Sequence, residues 1–188
     1  MPTMSTRPER SVWTIEDLAT LPDDGNRYEL LHGELLVTSL PSNRHQSVAA
    51  ALVHILYSWC LVHTGWAVRG PGGVEMSRTS WLMPDVALYP MPLHETADWS
   101  RIPPPTLVIE ILSRSTRKRD RHRKRPAYLA FGVREVWTID ARHRLIEQWS
   151  ATSEFPVAVD RSFTWGPDPT LPPIVFDFDL IFGASETR

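Results

Sequence analysis

The run TLVIEIL, residues 106–112, constrains the fold more than any other stretch of this chain. It is a near-continuous series of β-formers, too short for an ordinary helix and without the polar–apolar alternation of a half-exposed strand. Such a run predicts a strand covered on both faces, central to a sheet with helices layered against it. Its middle holds a carboxylate, Glu110. A lone charge in that setting is costly unless a cation or a metal compensates.

The rest of the chain predicts the layers around that strand. Thr14, with Asp17 three residues on, has the capping-box spacing that opens a short helix, closed by the turn at Pro22, Asp23, Asp24 and Gly25. Residues 27–31 and 34–39 read as a hairpin around His32-Gly33. Residues 43–63 carry Val48, Leu52, Ile55, Leu56 and Trp59 at helical spacing, and so predict a long buried helix. Two short strands flank a glycine-rich turn in GWAVRGPGGVEMS, and a further strand opens at Pro84-Asp85. Residues 90–105 are rich in proline and read as an exposed loop. A helix to Phe131, ended by Gly132, follows the central strand. Strands in REVWTID, LIEQWS and FPVAVD complete the pattern, the first two joined by the turn ARHR; the state of the tail LPPIVFDFDLIFG stays open. The expected class is α/β (α+β), with a mixed central sheet flanked by helices in one domain over residues 1–188 and a core of roughly 13–180.

Charge and composition narrow the function. The formal net charge is −2, so attraction to a polyanion must come from a local patch. That patch follows Glu110 directly: Arg114, Arg117, Lys118, Arg119, Arg121, Arg123, Lys124 and Arg125, with Asp120 the one acid among them. Lys118 and Lys124 are the only lysines of the chain. The single cysteine, Cys60, rules out an internal disulfide and suits a reducing cytoplasm. The start of the chain has no apolar segment of signal-peptide type, and residues 48–62 are too short and too polar at His54 to cross a bilayer. Most of the eight tryptophans fall in strand-like segments and are expected in the core or a subunit interface.

Two acids resist a core reading, Glu110 in mid-strand and Asp85 at the mouth of another strand. On neighbouring strands they would meet around one hard cation such as Mg²⁺. A salt bridge to one of the arginines is the competing reading for each acid taken singly. Glu34 is a third candidate, and Glu29 a weaker one.

PDVALY, LVIEILSRSTRKRDRHRK and AYLAFGVREVWTID, with LPDDGNRYELLHGEL and PSNRHQSVAAAL before them, together resemble the Uma-two family of restriction endonucleases, itself similar to the PD-(D/E)XK nuclease superfamily. The resemblance spans roughly residues 13–140. It implies a restriction-endonuclease-like fold and a metal-dependent DNA endonuclease using Mg²⁺ or Mn²⁺. It assigns Asp85 and Glu110 to metal binding, with the backbone carbonyl of Ile111, and Glu34 as an additional ligand. His45 matches a family histidine with an accessory role. The superfamily lysine would stand two residues after Glu110, where this chain has Leu112. The Uma-two pattern displaces it to a DR-x-x-K step, which here is Asp120 to Lys124. Pro126, shortly after that step, predicts either a kink or a helix that begins near Arg125.

With those assignments Asp85, Glu110, Lys124 and Glu34 form the catalytic set. Arg114, Arg117, Lys118, Arg119, Arg121, Arg123 and Arg125 meet DNA phosphates, and a homodimer serves the two strands of a duplex. The alternative is a nuclease-fold protein that binds nucleic acid or regulates, with little or no catalysis. Leu112 and Pro126 favour the alternative; the joint presence of Glu34, Asp85, Glu110 and Lys124 favours the enzyme.

Overall fold

The computed structural model describes residues 12–92 and 99–184. The expected capping box is formed: the Asp17 carboxylate accepts the Thr14 N–H at 3.0 Å and opens α1 (Ile15–Leu18). The hairpin is β1 (Arg27–Leu31) and β2 (Glu34–Thr38). His32 (φ 53°) and Gly33 (φ 80°) both lie in the left-handed region that a two-residue hairpin turn demands. Ser42 caps α2 (Asn43–Cys60), and Val48, Leu52, Ile55, Leu56 and Trp59 are all buried on it. The helix ends three residues short of the expected boundary.

A six-stranded sheet has the order β10-β9-β8-β7-β6-β3, and a four-stranded sheet the order β2-β1-β5-β4. The members of the larger sheet are β3 (Trp66–Arg69), β6 (Val86–Pro90), β7 (Leu107–Ile111), β8 (Glu135–Asp140), β9 (Leu145–Ser150) and β10 (Val157–Val159). β4 (Val74–Ser77) and β5 (Ser80–Leu82) belong to the smaller one. Thus the strands on either side of the glycine-rich turn, β3 and β4, enter different sheets. Among the described residues only the β7–β8 pair is parallel, which makes the larger sheet mixed, as expected. The tail forms a small ribbon, β11 (Phe163–Trp165) with β12 (Ile174–Phe176), then α5 (Phe178–Phe182). Of the loop expected over residues 90–105, residues 93–98 lie outside the described residues.

β7 is central, and all five of its residues are buried. Alternation sends Leu107, Ile109 and Ile111 into one core, with Val86, Leu88, Trp137 and the apolar face of α2. Val108 faces the other side, where it meets Ala87, Tyr89, Tyr128 and Val136. Each such side chain, fully buried, contributes roughly 1.5–3 kcal/mol of burial free energy. Glu110 shares the face of Val108. By the same alternation Asp85 shares the face of Ala87 and Tyr89. Antiparallel pairing sets Val86 against Ile109, so one step further along the register Asp85 comes opposite Glu110.

The basic segment is helical, with a local widening. α3 (Arg117–Arg119) runs into a π turn (Asp120–Lys124) and then α4 (Arg125–Phe131), where Gly132 at φ 105° ends it. The Arg125 N–H reaches back five residues to the Asp120 carbonyl. Pro126 supplies the reason: it has no N–H to donate, and its ring crowds the carbonyl four residues back, so the preceding turn opens wider. Of the two expected outcomes, a helix beginning near Arg125 is the one found, joined to α3 through the π turn.

Candidate active site

A cleft of about 750 Å³ opens at the ends of β6, β7 and β8, between the N-terminus of α2 and the basic helix. Its floor is acidic. Glu29, Asp85, Glu110 and Asp120 are all buried, at 0, 5, 2 and 2 % exposure, and all four line it. Lys124, also 2 % exposed, is the one cation as deep as they are among the described residues.

Asp85 is held on three sides. Its Oδ1 accepts from Arg27 Nη1 at 3.0 Å, and its Oδ2 accepts the Ile111 N–H at 2.8 Å with His45 Nε2 at 3.0 Å. Burial alone would raise its pKa; His45, Arg27 and the Ile111 N–H outweigh burial and hold it below the usual carboxylate range. Glu110 is the opposite case. Burial pushes its carboxyl well above the ordinary value, Lys124 offsets only part, and Asp120, Asp85 and Glu29 add repulsion. Its Oε1 accepts the Tyr128 hydroxyl at 2.8 Å and faces Lys124 Nζ at 3.4 Å. Burial would strip the proton from Lys124, but Glu110, Glu29 and Asp120 outweigh it and raise the ammonium pKa above its usual value.

The residues expected to act together thus divide. Asp85, Glu110, Lys124 and His45 meet in the cleft. Glu34 does not join them: it lies in an exposed two-pronged pair with Arg123, at 2.6 and 3.1 Å. Glu29, ranked behind Glu34 on sequence grounds, takes the buried place, 2.7 Å from Lys124 Nζ. Its signal is its phase, since Arg27, Glu29 and Leu31 share one face of β1 and Leu31 is core. Tyr128 and Asp120 are further site residues, Asp120 known from the sequence only as the first residue of the DR-x-x-K step and Tyr128 not singled out by it. Both stand four residues from Lys124, the spacing of neighbours on one helix face.

The basic run divides as well. Arg114, Arg117 and Arg119 line the cleft, and Lys118 is exposed outside it. Arg121 donates to Glu147 at 2.7 Å, Arg123 is taken by Glu34, and the Arg125 guanidinium stacks on Trp149 at 3.7 Å from the ring centroid. Those three brace the helix against the two sheets. The cleft rim gains Arg44 from α2, and Arg142 and His143 from the β8–β9 turn. Leu112, two residues after Glu110, is a buried apolar residue at the cleft wall, and Lys124 arrives from the helix.

The donor chemistry fits a hard divalent cation. Asp85 and Glu110 offer carboxylate oxygens across one strand pair, and the repulsion among four buried acids leaves Glu110 short of counter-charge. Asp120 Oδ1 is buried with no hydrogen-bond donor. Among the described residues, no three histidine, cysteine or acidic side chains are gathered as a ready-made metal cage. Two protein carboxylates completed by water and phosphate is the arrangement that Mg²⁺ prefers.

The comparisons agree with this architecture. A crystal structure described as "a putative nuclease belonging to DUF820 from Anabaena variabilis ATCC 29413" is similar to this chain with a TM-score of 0.70 and 18 % sequence identity. The match covers 90 % of this chain and 97 % of that one. No curated protein matches the sequence. Among the described residues no helix is long and apolar enough to cross a membrane. The family model for Uma2, described as "Putative restriction endonuclease", matches residues 15–172, and with most of its length so covered, the chain belongs to the Uma2 family.

Proposed function

We propose that this protein is a metal-dependent endonuclease that hydrolyses phosphodiester bonds in DNA. The observation that carries the reading is the convergence of Asp85, Glu110 and Lys124 on the floor of one cleft whose rim is arginine-rich. Asp85, Glu110 and the Ile111 carbonyl would hold Mg²⁺ or Mn²⁺. When bound, that ion supplies Lewis-acid polarisation of the phosphate and a more acidic water.

The side chains do the remaining work. Arg27 and His45 fix the orientation of the Asp85 carboxylate through opposite oxygens. Tyr128 and Lys124 fix Glu110 through Oε1. Lys124, charged and directed by its acidic neighbours, is placed to orient the attacking water or to stabilise charge as it builds on the phosphate. Arg114, Arg117, Arg119, Arg44 and Arg142 contact the backbone phosphates, positioning the strand without reading bases. A homodimer in the cytoplasm would present two such clefts to a duplex.

The substrate claim is tested with end-labelled duplex DNA, single-stranded DNA and RNA of one sequence, incubated with Mg²⁺, Mn²⁺ or chelator. Internal, metal-dependent cleavage of DNA is expected. Tight, salt-sensitive binding of DNA with no cleavage under any metal would support the non-catalytic binding module instead.

A further inference from the structure

We propose that Glu29 is a positioning residue, one that holds Lys124 in the cleft and ties it to the strand entry bearing Asp85, without itself binding metal. The inference rests on the nuclease reading above and extends it to a residue that reading does not use.

Glu29 is tied to Lys124 through both oxygens and to the backbone through one. Oε1 accepts the Met83 N–H at 2.8 Å and Lys124 Nζ at 2.8 Å, while Oε2 lies 2.7 Å from the same Nζ as an ion pair and accepts no hydrogen bond. The side chain has no exposed surface, whereas Asp85 and Glu110 keep a little at the cleft floor. Lys124 stands closer to Glu29 than to Glu110 (3.4 Å) or Asp120 (3.8 Å), so Glu29 sets where the ammonium rests. Arg27, on the same face of β1, donates to the Met83 carbonyl at 3.2 Å and to Asp85 at 3.0 Å. β1 therefore grips both the N–H and the carbonyl of Met83, two residues before Asp85, and with the same strand face fixes the lysine. One strand of the smaller sheet sets the spacing between a carboxylate at a strand entry of the larger sheet and an ammonium on the basic helix.

The π turn is the second half of the device. In an unbroken α-helix, residues eight apart are turned about 80° from one another. The wider turn at Asp120–Lys124 absorbs part of that drift, so Asp120, Lys124 and Tyr128 all point at the same acids. A long, flexible lysine entering from a neighbouring helix needs such a fixed partner. A lysine two residues after Glu110, on the strand itself, would not.

The test uses the full chain and its two lysines. With ¹⁵N at lysine Nζ, the ammonium region of the NMR spectrum holds only Lys118 and Lys124, and Lys118 is exposed. Glu29→Gln keeps an acceptor for Met83 and removes the negative charge that faces Lys124; Glu29→Asp keeps that charge and withdraws it by one methylene. In Glu29→Gln the protected Lys124 ammonium signal is expected to shift and broaden. Mn²⁺ affinity is expected to stay within about threefold of wild type, and kcat for DNA cleavage to fall about 100-fold with KM unchanged, the usual cost of a small misplacement. Glu29→Asp restores part of kcat and serves as the reporter where the Gln variant does not fold. An unmoved Lys124 signal, unchanged kcat, or a tenfold loss of Mn²⁺ affinity would each overturn the proposal, the last by making Glu29 a ligand. The NMR arm needs no turnover, so a wild-type protein that cleaves nothing would count against the nuclease reading alone.

Discussion

Lys124 Nζ stands 3.4 Å from Glu110 Oε1, although the two residues lie fourteen apart in the chain and on different elements. Leu112, two residues after Glu110, carries no charge, and the charge reaches Glu110 from the helix. Among the described residues Lys124 is also the sole deep counter-charge to Glu29, Glu110 and Asp120. Its removal leaves Glu29 and Glu110 without an ion-pair partner among the described residues and Asp120 with Arg119 alone, at 3.9 Å, and Lys124→Met is expected to cost about 3–5 kcal/mol. Urea denaturation at neutral pH checks this. The double variant Lys124→Met/Glu29→Gln should recover part of the loss.

Glu110 makes the metal-free protein lose stability as pH rises. A folded-state pKa raised above the ordinary 4.5 means that the folded protein binds this proton more tightly than the unfolded chain does. That contribution to stability is full below the unfolded value and is lost as pH rises through the folded one. In chelator, wild type should therefore lose ground to Glu110→Gln over that window, by up to about 1.4 kcal/mol per pH unit. Denaturation curves of the two proteins from pH 4 upward measure it; a constant difference at every pH would contradict the assignment.

Glu34 is expected to be dispensable for metal and for cleavage. Its partner Arg123 and it are both solvent-exposed, where even a two-pronged pair is worth at most about 1 kcal/mol. Glu34→Ala should bind Mn²⁺ as wild type does, by isothermal titration, and should unfold at nearly the same urea concentration. A loss of Mn²⁺ affinity would return Glu34 to the ligand set.

The two halves of the basic run should separate in a salt titration. Arg114→Ala and Arg117→Ala remove cleft-lining charges, and each should flatten the dependence of log affinity on log salt by about 0.9 for every phosphate no longer neutralised. Arg121→Ala and Arg125→Ala should leave that slope in place and lower stability, because their guanidiniums serve Glu147 and Trp149. Fluorescence anisotropy with labelled duplex, at salt concentrations from about 50 to 200 mM, distinguishes the two groups.

What the sequence makes legible follows from periodicity. β7, the hairpin turn at His32-Gly33 and the buried stripe of α2 are local patterns, and each is found where the pattern puts it. Glu110 stands out because an acid within an apolar strand breaks the pattern, and Asp85 because it opens another such strand. The pairing of side chains across elements is not local and is not legible in the same way. Nothing in the spacing of Glu29, Glu34, Arg123 and Lys124 states that one acid turns inward to the lysine and the other outward to the arginine. That choice is made by the packing of β1 and β2 against the helix. Pro126 is visible as a disturbance, but its consequence, a widened turn that keeps Asp120, Lys124 and Tyr128 together, depends on the helix being held at both ends.

Whether Asp85 and Glu110 hold a metal that serves DNA cleavage is decided with supercoiled plasmid at low salt. Purified wild type and the Asp85→Ala/Glu110→Ala double variant would be compared in Mg²⁺, in Mn²⁺ and in chelator. Metal-dependent conversion to nicked and linear forms is expected of wild type and not of the variant. Equal cutting by both proteins, or wild type that binds plasmid and never nicks it, would rule out a metal-dependent nuclease at these two residues.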